Sequence, residues 1–210
     1  MSVNRVIWDF NGTILDDLRI SIDAADELLS RYGLDKIETL EKYYSVFGFP
    51  IKDYYARVGF DFSKYDYSIL ANEWVEIYLS KLPNASLRAG VKKTAQTLKA
   101  AGIKQSILSM TKEDMLRSQV ASLGIDDLFD EILGLNDIYA VSKLELARAW
   151  RASHPNDNVI YVGDTLHDAE SASIIGCRCL LIEGGHQSTD TLSTLGYPII
   201  KTPSDILNYI

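Results

Sequence analysis

The chain opens with an apolar run over residues 3–10, which contains Asp9 and runs into a turn at Gly12. Short continuous apolar runs bounded by a turn fit buried strands. Similar runs at 103–109, 131–133, 159–162 and 178–182 predict four more. Helical spacing fills the gaps between them. Met115, Leu116, Val120 and Leu123 precede a stop at Gly124, and Leu146, Ala147 and Trp150 follow Ser142. Glu145 stands three residues after Ser142, as a capping box requires. Strands alternating with helices imply right-handed crossovers and an α/β, Rossmann-like three-layer core with a mainly parallel sheet. Ligands bind such sheets at the carboxyl ends of the strands.

Residues 16–85 break this alternation. Leu18, Ile22, Ala25, Leu29 and Tyr32 recur at steps of four and three, and Gly33 ends that helix. Further helical stretches are expected at about 38–47, 50–58 and 66–80, in a region crowded with tyrosines. Helix then resumes at 90–101. The expected organisation is a core of residues 1–15 and 86–210 carrying a small all-helical cap, 16–85, inserted after the first strand.

Composition narrows the function. Hydrophobic residues make up 47% and charged residues 24%, enough for a core without staples. A formal charge of -8 argues against nucleic acid, whose backbone needs clustered Lys and Arg. An anionic substrate would therefore need local positive charge or a metal at its site. Cys177 and Cys179 lie in an apolar run without further ligands nearby and read as buried thiols. No stretch approaches the ~20 apolar residues that span a bilayer, so no membrane partner is expected. The first residues lack a signal-peptide pattern, and a cytoplasmic location follows as an expectation.

Four features fall at the predicted carboxyl ends of strands or the starts of helices. They are Trp8-Asp9-Phe10-Asn11-Gly12-Thr13, then Ser109, then Lys143, and then Gly163-Asp164-Thr165-Leu166-His167-Asp168. Singly each is weak, because an Asp closing a strand is often a helix cap. In this order, each on its proper element, the set resembles the haloacid dehalogenase superfamily, especially its phosphoglycolate phosphatase-like members with a helical cap. Leu87-Arg88-Ala89-Gly90-Val91 and the stretch from Ser109 to Asp130 extend the resemblance along essentially the whole chain.

That resemblance implies a Mg²⁺-dependent hydrolase of a small phosphorylated metabolite, working through an aspartyl phosphate. Asp9 would be the nucleophile. Asp9 and Asp164 are hard oxygen ligands suited to Mg²⁺, and the family adds the backbone carbonyl of Asn11. Ser109 would hydrogen-bond a phosphoryl oxygen, and Lys143 would offset its charge. Asp168 would orient Lys143 or a metal-bound water, with Gly12 and Thr13 supporting the first loop. His186 and the cap residue Arg57 are candidates for binding the substrate, as are Lys52, Tyr54 and Tyr55. His167 reads as solvated.

Three departures from the family pattern stand out. Met110 occupies a place where Asn is common, and no proline follows Lys143. The third is Asn11, where the phosphatases carry an Asp that protonates the leaving oxygen. Such acid–base catalysis contributes roughly 10²–10⁴ in rate, so good leaving groups should fare best. The alternative reading is a catalytically attenuated phospholigand-binding or regulatory protein. A true dehalogenase would use Asp9 without a metal, and the Asp164/Asp168 pair speaks against it. Sugar-phosphate mutases rely on the acid–base residue that is missing.

Overall fold

The computed structural model describes residues 2–139 and 142–210. The first apolar run forms β1 (Arg5–Trp8), buried throughout. After it come β2 (Leu15–Asp16), α1 (Leu18–Arg31), α2 (Leu40–Val46), α3 (Ile51–Arg57) and α4 (Tyr67–Lys81). β3 (Ser86–Leu87) and α5 (Val91–Ala100) lead back to β4 (Lys104–Lys112) and α6 (Glu113–Ser122). The remainder is β5 (Glu131–Leu135), α7 (Leu144–Ser153), β6 (Val159–Gly163), α8 (Leu166–Ile175), β7 (Arg178–Ile182), α9 (Thr189–Ser193) and β8 (Ile199–Ile200).

Among the described residues the main sheet has six strands in the order β5-β4-β1-β6-β7-β8, with every pairing parallel. The α/β class expected from the sequence is the one observed. The period-2 pleat of β1 makes three layers. Val6 and Trp8 pack with Leu98 of α5 and Leu116 and Val120 of α6 on one face. Ile7 between them packs with Ala147 and Trp150 of α7 and Ala169 and Ala172 of α8 on the other. The chain runs from β1 outward to β4 and β5 on one side, then returns to β6 on the other. That reversal puts a crevice at the carboxyl end of β1, where open parallel sheets bind ligands.

Residues between β2 and β3 build a core of their own. Ile22, Leu28, Leu29, Tyr43, Tyr54, Leu70 and Ile77 form its centre. Thr39 caps α2 by accepting from the Lys42 amide at 3.1 Å, and Asp66 caps α4 by accepting from Ser68 at 2.7 Å. β2 and β3 pair antiparallel, Leu15 with Leu87 and Asp16 with Ser86, where the chain leaves and rejoins the sheet-bearing part. No helix among the described residues is long and apolar enough to cross a membrane.

One local expectation is corrected, and two short elements were not foreseen. Ser142 and Glu145 do not form a capping box. Ser142 Oγ instead accepts from the Leu144 amide at 3.1 Å, and the exposed Glu145 pairs with Arg148. The box forms around Thr165 and Asp168 at the start of α8. β8 and α9 had no sequence signal, since two and five residues are too few to show a period.

Candidate active site

Asp9 follows β1 directly, its amide donating to the Val162 carbonyl of β6 at 2.8 Å. Asp164 follows β6, and Asp168 lies in the first turn of α8. Carboxylate oxygens of these three buried residues lie within 4.8 Å of one another. Lys143, at the start of α7 and 2% exposed, sends its ammonium into the cluster. It donates to Asp9 Oδ1, to Asp168 Oδ1 at 2.5 Å and to the Leu108 carbonyl at 3.3 Å. The second oxygen of Asp168 accepts from the amides of Asp164 (3.1 Å) and Thr165 (2.9 Å) and from the Thr165 hydroxyl (2.7 Å). Asp168 is thus a bracket between the β6–α8 turn and Lys143.

Three buried carboxylates against one ammonium leave an excess of two negative charges. Burial, then repulsion from Asp168, pushes the Asp9 carboxyl well above its ordinary range, with Lys143 pulling the other way. Burial also raises Asp164 to about 6, with repulsion from Asp168 adding to it and His186 opposing. Burial alone would favour loss of the Lys143 proton, but Asp168 and Asp9 outweigh it and hold the ammonium. A divalent cation carries the charge the cluster lacks. Asp168 is engaged by donors through both of its oxygens, whereas Asp9 and Asp164 accept fewer, so these two are the carboxylates that could hold one.

The surroundings of Asp164 fit this role. Its oxygens accept from Thr13 Oγ1 at 2.8 Å and from the His186 amide at 2.6 Å. A Cβ at Gly12 or Gly185 would collide with its carboxylate. Gly12 also has φ +72°, a left-handed conformation that glycine adopts without strain.

Asn11 is held at both ends. Its Nδ2 donates to Asp17 Oδ2 at 2.8 Å and to the Tyr78 hydroxyl at 3.0 Å, while its Oδ1 accepts from Thr111 Oγ1 at 2.8 Å. Asp17, 1% exposed, accepts in addition from the Gly12 amide (2.9 Å) and Tyr78 (2.8 Å). The imidazole of His186 pairs with Asp17 through Nε2 at 3.2 Å and with the Tyr43 hydroxyl through Nδ1 at 2.8 Å. Burial opposes its charge, but Asp17 prevails and raises His186 to about 9. Sequence reasoning missed Asp17, Tyr78, Tyr43 and Thr111. For Asp17 a signal existed in the acidic pair 16–17, but an Asp before a helix reads as a cap.

Asp9, Asn11, Ser109, Lys143 and His186 all line one cavity of about 190 Å³ between the sheet and helices α1–α4. Ser109 Oγ accepts from the Thr111 amide at 3.1 Å. Tyr54 and Tyr55 line the cavity; Arg57 and Lys52 do not. Arg57 Nε instead donates to the Val46 carbonyl at 2.6 Å, tying α3 to α2. The Lys52 ammonium lies 5.0 Å from the centre of the Phe62 ring. His167, expected to be solvated, is buried, with Nδ1 2.8 Å from Glu170.

A model of the family described as haloacid dehalogenase-like hydrolase matches residues 6–182. A phosphoglycolate phosphatase of Synechococcus elongatus is 24% identical over 214 residues, covering 99% of this chain and 97% of that protein. The structure of a haloacid dehalogenase-like family hydrolase from Streptococcus pneumoniae superposes with TM-score 0.84 at 20% identity, covering 99% of this chain and 98% of that one. CbbY of Rhodobacter sphaeroides, solved in complex with phosphate, gives TM-score 0.74 at 16% identity, over 98% and 96% of the two chains.

Proposed function

The chain belongs to the haloacid dehalogenase-like hydrolases, and on that premise we propose that it is a Mg²⁺-dependent phosphohydrolase of a small phosphorylated metabolite, with Asp9 as nucleophile. The observation that carries this reading is the buried Lys143 ammonium shared by Asp9 and Asp168, with Asp164 alongside. Asp9 and Asp164, with the backbone carbonyl of Asn11, would hold Mg²⁺. The cation supplies charge neutralisation that lets a carboxylate approach an anionic phosphoryl group.

Lys143 occupies Oδ1 of Asp9 and leaves Oδ2 to attack phosphorus. A bond forms from Asp9 to phosphorus as the bond to the leaving oxygen breaks, giving an aspartyl phosphate. Water then cleaves that intermediate, releasing phosphate and restoring Asp9. Ser109 donates a hydrogen bond to a phosphoryl oxygen, and Lys143 offsets charge on the group in flight. Asn11 positions but transfers no proton, so the leaving oxygen departs as an anion. A cytoplasmic location goes with this reading.

Asp9→Asn should abolish phosphate release while circular dichroism stays unchanged, and chelation should silence the wild type. Wild-type turnover in the variant would overturn the mechanism. The engaged amide of Asn11 favours a second reading, a phospholigand-binding protein with attenuated catalysis. Mg²⁺-dependent phosphate binding without hydrolysis of acetyl phosphate would select it.

A further inference from the structure

We propose that the cavity selects phosphate monoesters whose leaving group is a single uncharged aromatic ring, and rejects those carrying a second anionic group. The inference deepens the phosphohydrolase reading and rests on it. Its first support is the wall. Phe49, Ile51, Trp74 and Val75 from the cap meet Met115 and Ile138 across a cavity of about 190 Å³. An apolar cavity of roughly 150 Å³ accommodates benzene, so the space suits one ring with its phosphoryl group directed at Asp9.

The second support is charge. Among the described residues, each basic side chain lining the cavity already has a carboxylate partner. Lys112 pairs with Asp114 at 2.7 Å, Lys143 with Asp9 and Asp168, His186 with Asp17 and His167 with Glu170. No arginine among the described residues lines it. A carboxylate or second phosphate deep in the cavity would have to take a buried cation from its carboxylate, which is strongly unfavourable; the Lys112–Asp114 pair is exposed on both sides.

Leaving-group chemistry agrees independently, because a phenolate departs more readily than an alkoxide where Asn11 cannot donate a proton.

Benzyl phosphate and 2-phosphoglycolate both release an alkyl oxygen, so comparing them isolates the cap from the leaving group. With Mg²⁺ present, kcat/KM for benzyl phosphate should exceed that for 2-phosphoglycolate by about 100-fold, with phenyl phosphate faster still. Val75→Arg, a cation placed in a half-buried wall position, should narrow the first ratio by about tenfold. Equal or better turnover of 2-phosphoglycolate by the wild type would overturn the proposal. If acetyl phosphate and every ester stay intact, the phosphohydrolase reading fails, and the cavity is then judged by calorimetry. Tighter binding of phenylphosphonate than of phosphonoacetate would still support the ring-selective cavity, and the reverse order would overturn it.

Discussion

At position 11 an amide does what a carboxylate could not. Its Nδ2 donates to Asp17, and its Oδ1 accepts from Thr111. Asn11→Asp would set two carboxylates against each other where Asn11 Nδ2 and Asp17 Oδ2 now stand 2.8 Å apart. Two such groups cannot both ionise, so one retains a proton near neutral pH. That proton is what the leaving oxygen of an alkyl ester needs. Turnover of alkyl phosphates should rise by about 10²–10⁴ in the variant, with a smaller gain for acetyl phosphate. Steady-state assays of both substrates check this, and no gain, or an equal gain in both, would count against the role given to Asn11. Asn11-Gly12 is prone to deamidation, so intact mass must accompany the assay. The unusual residue was legible in the sequence; its partner was not. Asp17 stands immediately before α1, yet its side chain makes no cap and turns back to the Gly12 amide and Asn11. Spacing reports which residues share an element, whereas a network closed through Tyr78 and His186 depends on how elements pack.

Elements were read well where a period had room to show, as in β1, α1 and α4, and poorly where two or five residues sufficed. Charged residues that join elements far apart in the chain left no pattern at all. Arg5 of β1 is 3% exposed and pairs with Glu131 of β5 at 3.1 Å and with Asp157, just before β6, at 2.7 Å. It also donates to Ser106 of β4 at 2.8 Å, so one guanidinium gathers the amino-terminal end of the sheet. Glu131 further accepts from Trp150 at 2.9 Å and faces His154 at 3.3 Å, and Asp157 accepts from Asn4. Burial resists ionisation of both carboxylates. The Trp150 and Ser106 donors with Arg5 hold Glu131 below 4.5, and Arg5 holds Asp157 below 3.8. A depressed folded pKa gives stability that is present above the unfolded value and lost as pH falls through the folded one. Arg5→Met should therefore cost about 2 kcal/mol at pH 7, since the partners are partly exposed. The gap in melting temperature from wild type should shrink below about pH 4. A gap independent of pH would show that Arg5 acts through packing on Trp150 instead.

Over the whole molecule, four tyrosine hydroxyls of α2 and α4 reach across to the sheet-bearing part. Tyr44 donates to the Gly185 carbonyl at 3.1 Å, and Tyr67 to the Tyr139 carbonyl at 3.1 Å. Tyr43 meets His186 at 2.8 Å, and Tyr78 accepts from Asn11 Nδ2 at 3.0 Å. Among the described residues, the one ion pair that joins residues 16–85 to the rest of the chain is the buried Asp17–His186 pair at 3.2 Å. A neutral hydrogen bond contributes about 1 kcal/mol net, so this seam is closed by a small sum. Weak closure suits an enclosed site that must admit substrate and release product. Tyr44→Phe with Tyr67→Phe removes two of the four hydroxyls, both on partly exposed rings, and leaves the nucleophile cluster untouched. The open form should gain about 2 kcal/mol, a factor of about 30. Amides of 184–187, beneath the seam, should then exchange with deuterium faster than in the wild type, while the amides of β1 and β6 stay protected. KM should rise as the competent closed state becomes scarcer. Because hydroxyls and a buried, little-screened Asp17–His186 pair hold the seam, exchange at 184–187 should change little between low and high salt. Unchanged exchange in the double variant would show that apolar contacts, not the tyrosine hydroxyls, set the closure, and a strong salt dependence would point to ion pairs formed in solution.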